Sequence, residues 1–313
     1  MITRFGNIEE NELKLEELPR SPTQKLKNYA FRLLDEQIDF PVSSLILVYD
    51  DYSIKLNDAF MKKEKVKWPL YFTSRSSYHK VRLPRFIDPK LAYFMGYFYA
   101  DGSLKDIMKS KFKRNKFEHK IKVGDEFLLQ VKFLQKLFKE IFNLDTPIRD
   151  ERIKKGEIYY YIEINDKVVY RFFIKLFGLP AGPKTGKLNF PTIIQDCPKD
   201  IRKWFIRGVF DADGQTRATE YYREGKIKPR IRLHIKDYKF IVQIKDYILR
   251  DFEIKFNGPY LDKNEKASCI QIEKMEDIRK AQSQKLFIHP IKKWRLASLI
   301  NFYNQIGFDD KLK

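Results

Sequence analysis

A chain of 313 residues that is 43% hydrophobic and 15% aromatic has the apolar content of a folded protein, which excludes a disordered basic tail. Its 62 Lys and Arg against 42 Asp and Glu leave a formal charge of +20, an excess that repels itself unless a polyanion is near, and nucleic acid is the usual one. The two cysteines, Cys197 and Cys269, form no CxxC or Cys/His cluster, so neither a zinc site nor a disulfide framework is indicated.

The opening MITRFGNIEENELK is charged throughout and does not read as a signal peptide, and no stretch has the apolar length of a membrane span. An intracellular protein is expected. In residues 1–84, Ser21-Pro22 reads as a helix cap and first turn opening TQKLKNYAFRLLDEQ. Short helices are expected around VSSLILVY and SIKLNDAFMKK, before Trp68-Pro69 and the basic stretch SRSSYHKVRLPR. Three short helices permit a helix-turn-helix, although no turn glycine distinguishes it from a plain helical extension.

From residue 85 the chain becomes more regular. LAYFMGYFYADGS is an apolar helix that stops at Asp101-Gly102. The basic loop KSKFKRNKFEHK (109–120), carrying Lys109, Lys111, Lys113 and Arg114, leads into a strand, HKIKVGD, in which Lys120 and Lys122 flank Ile121. An amphipathic helix, FLLQVKFLQKLFKEIF, a strand pair including IYYYIEIND, and a helix, VVYRFFIKLFGL, complete the half at about residue 190. The aromatic run IYYYI reads as core.

Residues 191–313 repeat this order. The helix IRKWFIRGVFDADGQ stops at Asp213-Gly214, an offset of 213 − 101 = 112 from the first Asp-Gly pair. Gly96 and Gly208 each stand five residues before their aspartate. In PRIRLHIKD, Ile231, Leu233 and Ile235 face one way while Arg230, Arg232, His234 and Lys236 face the other, the pattern of a half-buried strand with one basic face. The helix YKFIVQIKDYILRDF, a strand pair including SCIQIEKM, and the helix MEDIRKAQS follow. The expected fold class is α+β: a tandem αββαββα pseudo-twofold repeat behind an N-terminal helical extension.

The acidic helix ends call for a physical reason. Glycine in the left-handed conformation closes helices, and Gly214 is expected to do so. A helix C-terminus carries partial negative charge, so Asp211 and Asp213 sit where carboxylates are least welcome and a cation is needed. If the two glycines let their helices pack side by side on the pseudo-twofold axis, Asp101 and Asp213 emerge together. Paired carboxylates beside helix-end carbonyls form an all-oxygen site suited to Mg²⁺ or Mn²⁺, and over a basic surface such a site suits phosphodiester hydrolysis. A calcium loop is the weaker reading, because DADGQTRATEYY lacks the third acid and the terminal Glu.

FMGYFYADG and IRGVFDADG resemble the paired motifs of the LAGLIDADG homing endonucleases in their monomeric two-motif form. The resemblance runs over about residues 85 to 300 and includes GLPAGPKTGKLNFP, which is similar to the segment joining the halves in that family. It implies two four-stranded antiparallel sheets laid as a saddle into the major groove of a long double-stranded DNA site. It implies cleavage of both strands across the minor groove with short 3′ overhangs. The last acid of each motif binds the metals, which maps to Asp101 and Asp213, with the Ala100 and Ala212 carbonyls as further ligands. A water-polarising lysine near the end of each half maps to Lys187, with Lys184 as the alternative, and to Lys292 or Lys293. Lys109, Lys111, Lys113, Arg114, Lys120, Lys122, Arg217, Arg230, Arg232, His234 and Lys236 are the expected DNA contacts.

The motifs depart from the family pattern in places. Tyr99 stands where the first motif's leading acid would be, and Met95 and Arg207 replace a small residue. The rival readings are a non-cleaving relative acting as an intron RNA maturase or DNA-binding regulator, and a basic architectural DNA protein. Retention of both Asp101 and Asp213 favours cleavage. An intron-encoded or free-standing enzyme fits this reading better than an intein.

Overall fold

A computed structural model describes residues 40–41, 70–72, 81–84, 86–108, 117–153, 156–221, 226–262 and 267–305. The three expected N-terminal helices, and with them any helix-turn-helix, lie outside the described residues. In that region the described pieces are short strands. β1 (Phe40–Pro41) pairs with β4 (Phe86–Ile87), and β2 (Leu70–Phe72) pairs with β3 (Val81–Leu83), both antiparallel.

The chain divides into two compact units at Ala212/Asp213. In the first, helix α1 (Pro89–Asp101) is followed by β5 (Ser103–Met108), β6 (Phe117–Asp125), α2 (Leu128–Phe142), β7 (Ile148–Arg152), β8 (Ile158–Asn165) and α3 (Lys167–Phe177). The single turn α4 (Thr192–Gln195) then leads to α5 (Lys199–Asp213). In the second unit, β9 (Gly214–Tyr221), β10 (Lys226–Ile235), α6 (Tyr238–Phe252), β11 (Asn257–Asp262), β12 (Ala267–Ile272) and α7 (Met275–Ser283) are followed by one more helix, α8 (Pro290–Gln305).

Duplication shows in detail. The first sheet has the order β5-β6-β8-β7 and the second β9-β10-β12-β11, the same arrangement, each antiparallel throughout. Equivalent helices even end alike: Asn143 after α2 and Glu253 after α6 are both left-handed, at φ 56° and 57°. By repeat the halves meet at 190/191; by compactness the boundary falls at 212/213. The reason is that α5, which opens the second repeat, is buried against α1 of the first.

Period-two alternation puts Ile121, Val123, Ile162 and Ile164 of one sheet, and Ile231, Leu233, Ile270 and Ile272 of the other, into their cores. Helical spacing does the same for Leu134, Phe138, Ile141 and Phe142 of α2 and for Phe240, Ile244, Ile248 and Phe252 of α6. Phe98, Phe138, Phe142 and Phe173 form an edge-and-tilt cluster under the first sheet, with Phe98 and Phe173 centroids 4.9 Å apart. At the start of α1, Asp88 accepts a hydrogen bond from the Leu91 amide at 2.8 Å and Pro89 occupies the first turn.

Candidate functional site

α1 and α5 meet backbone to backbone. A methyl at Gly96 would lie 1.9 Å from the Phe205 carbonyl oxygen, and one at Gly208 would lie 2.1 Å from the Tyr93 carbonyl oxygen. The two contacts are reciprocal. Adding the offset of 112 to Tyr93 and Gly96 gives Phe205 and Gly208, so each helix presents to the other the surface it receives, the mark of a twofold interface.

A second reciprocal pair explains the irregular motif. The Tyr93 hydroxyl donates to Asp211 Oδ2 at 2.8 Å, and Gln130 Nε2 donates to the Tyr93 hydroxyl at 3.0 Å. On the other side of the axis the equivalent positions are Phe205 and Tyr99, whose rings meet edge-on with centroids 5.3 Å apart. One side is thus polar and the other aromatic. An aspartate at 99 would face the Phe205 ring; at 211 it has a phenol. The Tyr99 hydroxyl turns away to donate to the Phe177 carbonyl. Burial, then the Asp211 charge, raises the Tyr93 pKa well above the ordinary tyrosine value, so the phenol stays a donor. Tyr93→Phe is expected to cost about 1.5–3 kcal/mol, the usual value of a hydrogen bond to a charged group, measurable by urea unfolding. An unchanged midpoint would contradict the pairing.

Burial sorts the acids at these helix ends. Asp211 is fully buried, and Asp125, 8% exposed, accepts from the buried Tyr97 hydroxyl. Asp101 is exposed and Asp213, the last residue of α5, is half-buried. The latter two are thus the more solvent-exposed acids, and carboxylate oxygen is the donor chemistry a hard divalent cation takes. Arg207, bulky where the motif has a small residue, lies off the axis with its guanidinium 4.2 Å over the Trp204 ring, while Met95 is buried.

The end of α1 already has its cation. Lys184 Nζ donates to the carbonyls of Tyr99 and Ala100 at 2.8 Å each and to Phe98 at 3.3 Å, offsetting the negative end of the helix. The segment carrying it is pinned where Gly182, at φ 80°, donates its amide to the Leu104 carbonyl at 2.8 Å. Lys184 is therefore the lysine seated on this helix end. Lys187 is exposed, its amide turned back to the Lys184 carbonyl. The Ala100 carbonyl, expected as a metal ligand, is engaged by the Lys184 ammonium.

Gly102 does not take the left-handed conformation. It leaves the helix extended, at φ −78° and ψ 161°, and a methyl there would lie 2.4 Å from the Phe98 ring. Gly214, expected to be a left-handed cap, likewise opens β9 directly, opposite Leu233. In both copies helix runs straight into strand, so the aspartate sits at the hinge between them. In the second unit α8 packs on β9, and His289 Nδ1 accepts from the Ile291 amide at 3.2 Å, placing Lys292 and Lys293 half-buried in the first turn.

The polar faces of the sheets carry the expected basic residues, though not all as free cations. On the first sheet Lys120 pairs with Glu163 at 3.4 Å, and Lys122 with Glu151 at 2.7 Å while lying 3.8 Å over the Tyr161 ring. Tyr159 and Tyr161, expected as core, stand half-buried on this polar face with Arg149 opposite Tyr161. Strict alternation along β8 was the signal for them. On the second sheet Arg230, expected to face a partner, is 7% exposed and paired with Glu273. Arg232 Nε donates to Gln271 Oε1 at 3.0 Å, which aims its guanidinium from the half-buried face; Arg217 and Lys236 are exposed and His234 is half-buried. Lys109, Lys111, Lys113 and Arg114 lie outside the described residues. No described helix is long and apolar enough to cross a membrane.

No family model matches the chain. Three curated proteins share a piece with it. One component of the A-type ATP synthase of Pyrococcus abyssi is 31% identical over 147 residues, 47% of this chain and 12% of that protein. The glutamine–fructose-6-phosphate aminotransferase of Methanocaldococcus jannaschii is 33% identical over 143 residues, 44% of this chain and 11% of that protein. A probable translation initiation factor IF-2 of the same organism is 29% identical over 139 residues, 44% and 10%. The chain spans about a tenth of the length of the curated relatives it matches. Among solved structures it is similar to the LAGLIDADG homing endonuclease I-GzeII in complex with its DNA target, with TM-score 0.48 and 13% identity over 72% of this chain and 93% of that one. It is also similar to the homing endonuclease I-WcaI bound to its DNA recognition sequence (0.47, 12%, 66% and 85%) and to I-DmoI in complex with DNA and Mn (0.43, 18%, 62% and 95%). The paired glycine helices, the two Asp-Gly hinges and the doubled β-order together make this chain a tandem duplication of one α+β arrangement within a single polypeptide.

Proposed function

We propose that the chain is a site-specific, divalent-metal-dependent endonuclease that cuts both strands of double-stranded DNA. The observation that carries this reading is the reciprocal packing of α1 and α5. The twofold operation that exchanges Gly96 with Gly208 also exchanges Asp101 with Asp213, and these two acids are solvent-exposed or half-buried where Asp211 and Asp125 are buried. Both motifs come from one chain, so a monomer supplies both acids.

Asp101 and Asp213 would hold Mg²⁺ or Mn²⁺ between them, and Ala212, whose carbonyl ends the second motif, would complete the oxygen set. A cation held there supplies charge stabilisation at the scissile phosphate and lowers the pKa of water. The protein's own part is to place two carboxylates at fixed hinges and to hold the duplex. Lys184 and, in the other half, Lys292 or Lys293 supply positive charge near the acids, and Lys187 contributes from the exposed loop beyond. Arg217, Arg232, His234 and Lys236 follow the DNA on one sheet, and Lys120 and Lys122 on the other; Lys109, Lys111, Lys113 and Arg114 are further DNA contacts in this reading. Cleavage across the minor groove, leaving short 3′ overhangs, is what the resemblance of the two motifs to the LAGLIDADG homing endonucleases implies. The three curated relatives carry names for unrelated reactions, which supports a self-contained module in place of a shared metabolic role. An intron RNA maturase is the second reading, since the same basic sheets accept RNA phosphates.

Arg232→Ala is expected to weaken DNA binding and lower the slope of log K against log salt by about one unit, the loss of one phosphate contact. Arg230→Ala, which breaks the Glu273 pair, is expected to lower stability instead. An unchanged slope for Arg232→Ala would remove that strand from the interface. The reading as a whole is tested by incubating the chain with Mg²⁺ and the uninterrupted form of the locus that houses its reading frame. A single double-strand break at the insertion point supports it, and intact DNA with full binding would favour the non-cleaving relative.

A further inference from the structure

The polar face of the first sheet holds one cation in a built setting. Lys122 on β6 reaches across β8 to β7, where its Nζ lies 2.7 Å from Glu151 Oε1. On the way it passes 3.8 Å over the Tyr161 ring and 5.6 Å from the Tyr159 centroid. The two rings lie at 22° to each other with centroids 6.4 Å apart. Gly124, opposite Tyr161, leaves room for them: a methyl there would lie 2.7 Å from Tyr161 Cβ and 2.9 Å from the Tyr159 ring. The lysine and glutamate side chains are 23% and 45% exposed, so the pair stays open to a partner above the tyrosine floor.

Strand register shows that the fold does not require this arrangement. Ser103 faces Lys122 as Gln215 faces Arg232, which sets Gly124 equivalent to His234. Val123 faces Ile162 as Leu233 faces Ile270, which sets Tyr161 equivalent to Cys269 and Tyr159 to Ala267. The second sheet keeps the same strand order with neither ring, and its Arg232 donates to the neutral Gln271 side chain. Nor does stability explain the pair, because an exposed salt bridge contributes little. A carboxylate on a surface that meets DNA repels phosphate, and a lysine held by that carboxylate brings no net charge to the backbone. Base edges in the major groove differ from phosphates in offering hydrogen-bond donors as well as acceptors.

We propose that the Lys122–Glu151 pair reads a single G·C base pair in the major groove, the ammonium donating to guanine O6 or N7 and the carboxylate accepting from the cytosine N4 amino group. This rests on the endonuclease reading above and names one position of its specificity. The ammonium has three N–H donors and gives one to Glu151, while a carboxylate has about four acceptor sites, so both have capacity for a base. On a G·C pair the acceptors of guanine stand beside the donor of cytosine, as Lys122 Nζ stands beside Glu151 Oε1. The tyrosine floor fixes the lysine stem, so the donor and the acceptor arrive together.

The test compares the wild-type chain with Glu151→Gln, Lys122→Met and the double variant. Each is titrated, over a range of salt, with duplexes of the uninterrupted locus that carry one substituted base pair apiece. The wild type is expected to lose about tenfold or more in affinity when one G·C pair is replaced, and both single variants to lose that discrimination at the same pair and keep it elsewhere. The double variant removes one charge of each sign, so its slope of log K against log salt is expected to match wild type while the discrimination stays lost. Relaxation at two different positions, or at an A·T pair, overturns the inference. So does uniform weakening by Lys122→Met with a slope lower by about one unit, the mark of a phosphate contact. Tighter binding of every duplex by Glu151→Gln, with no position relaxed, also overturns it, since the acid would then only neutralise the lysine. In each case a wild-type chain that cuts the locus leaves the endonuclease reading standing, whereas one that neither binds nor cuts it overturns both.

Discussion

Alanine at either helix glycine is expected to unfold the first unit or bring it close to unfolding. Helix propensity alone argues the reverse, since Gly→Ala in a helix interior is favourable by about 1 kcal/mol. Packing decides the sign. The added methyl at Gly96 meets the Phe205 carbonyl at 1.9 Å, and at Gly208 it meets the Tyr93 carbonyl at 2.1 Å and the Tyr97 amide nitrogen at 2.6 Å. These are backbone atoms of the facing helix and have no rotamer to change. The helices must separate, which opens the Tyr93–Asp211 and Phe205–Tyr99 contacts that flank the crossing. Overpacking commonly costs 1–3 kcal/mol, and a backbone clash with two broken flanking pairs puts the cost at about 3 kcal/mol or more. Against a total stability of about 5–15 kcal/mol that is a large loss. Urea unfolding of Gly96→Ala and Gly208→Ala reads it directly, and a midpoint equal to or above wild type would refute the close crossing.

The other large effect is on chemistry. Asp101→Asn or Asp213→Asn keeps the shape of the side chain and removes the charge that attracts a divalent ion. Each is expected to reduce double-strand cleavage by about 10³-fold while leaving DNA affinity intact, a loss comparable with removing one electrostatic stabiliser of a transition state. Asp211→Asn separates the roles within the DAD triplet. It alters the buried partner of Tyr93, so its expected effect is lowered stability with cleavage retained in the molecules that fold. Wild-type cleavage by Asp101→Asn or Asp213→Asn would dismiss those acids from the reaction.

Much of this was legible in the residue order because it rests on spacing. The duplicated Gly-to-Asp interval, the alternation in PRIRLHIKD and the 3.6-residue pattern in the α2 and α6 sequences each map onto geometry without knowledge of the rest of the chain. What could not be read depends on contacts between distant segments. The Asp211–Tyr93 bond joins residues 118 apart, and nothing local in FDADGQ distinguishes the buried acid from the open one. Lys184 and Lys187 lie three residues apart in one glycine-rich loop, and only the fold of that loop shows which reaches the end of α1. Gly214 is not the left-handed cap that glycine's commonest use at a helix end leads one to expect. Here it gives a direct entry into the strand. Arg230 looked like its neighbours in the alternating run, and its burial follows from Glu273 lying across the ladder from it.

Cross-linking measures most directly whether Asp101 and Asp213 stand together at the ends of paired helices, as the proposed metal site requires. Cysteines introduced by Asp101→Cys and Asp213→Cys can be joined in the metal-free chain with a short bis-maleimide. The native thiols interfere little, since Cys197 and Cys269 are buried and burial pushes the Cys197 thiol up to about 12. The account predicts rapid intramolecular cross-linking of the double variant, independent of protein concentration, and none for either single variant. A double variant that labels fully at both positions yet yields no internal cross-link would contradict it.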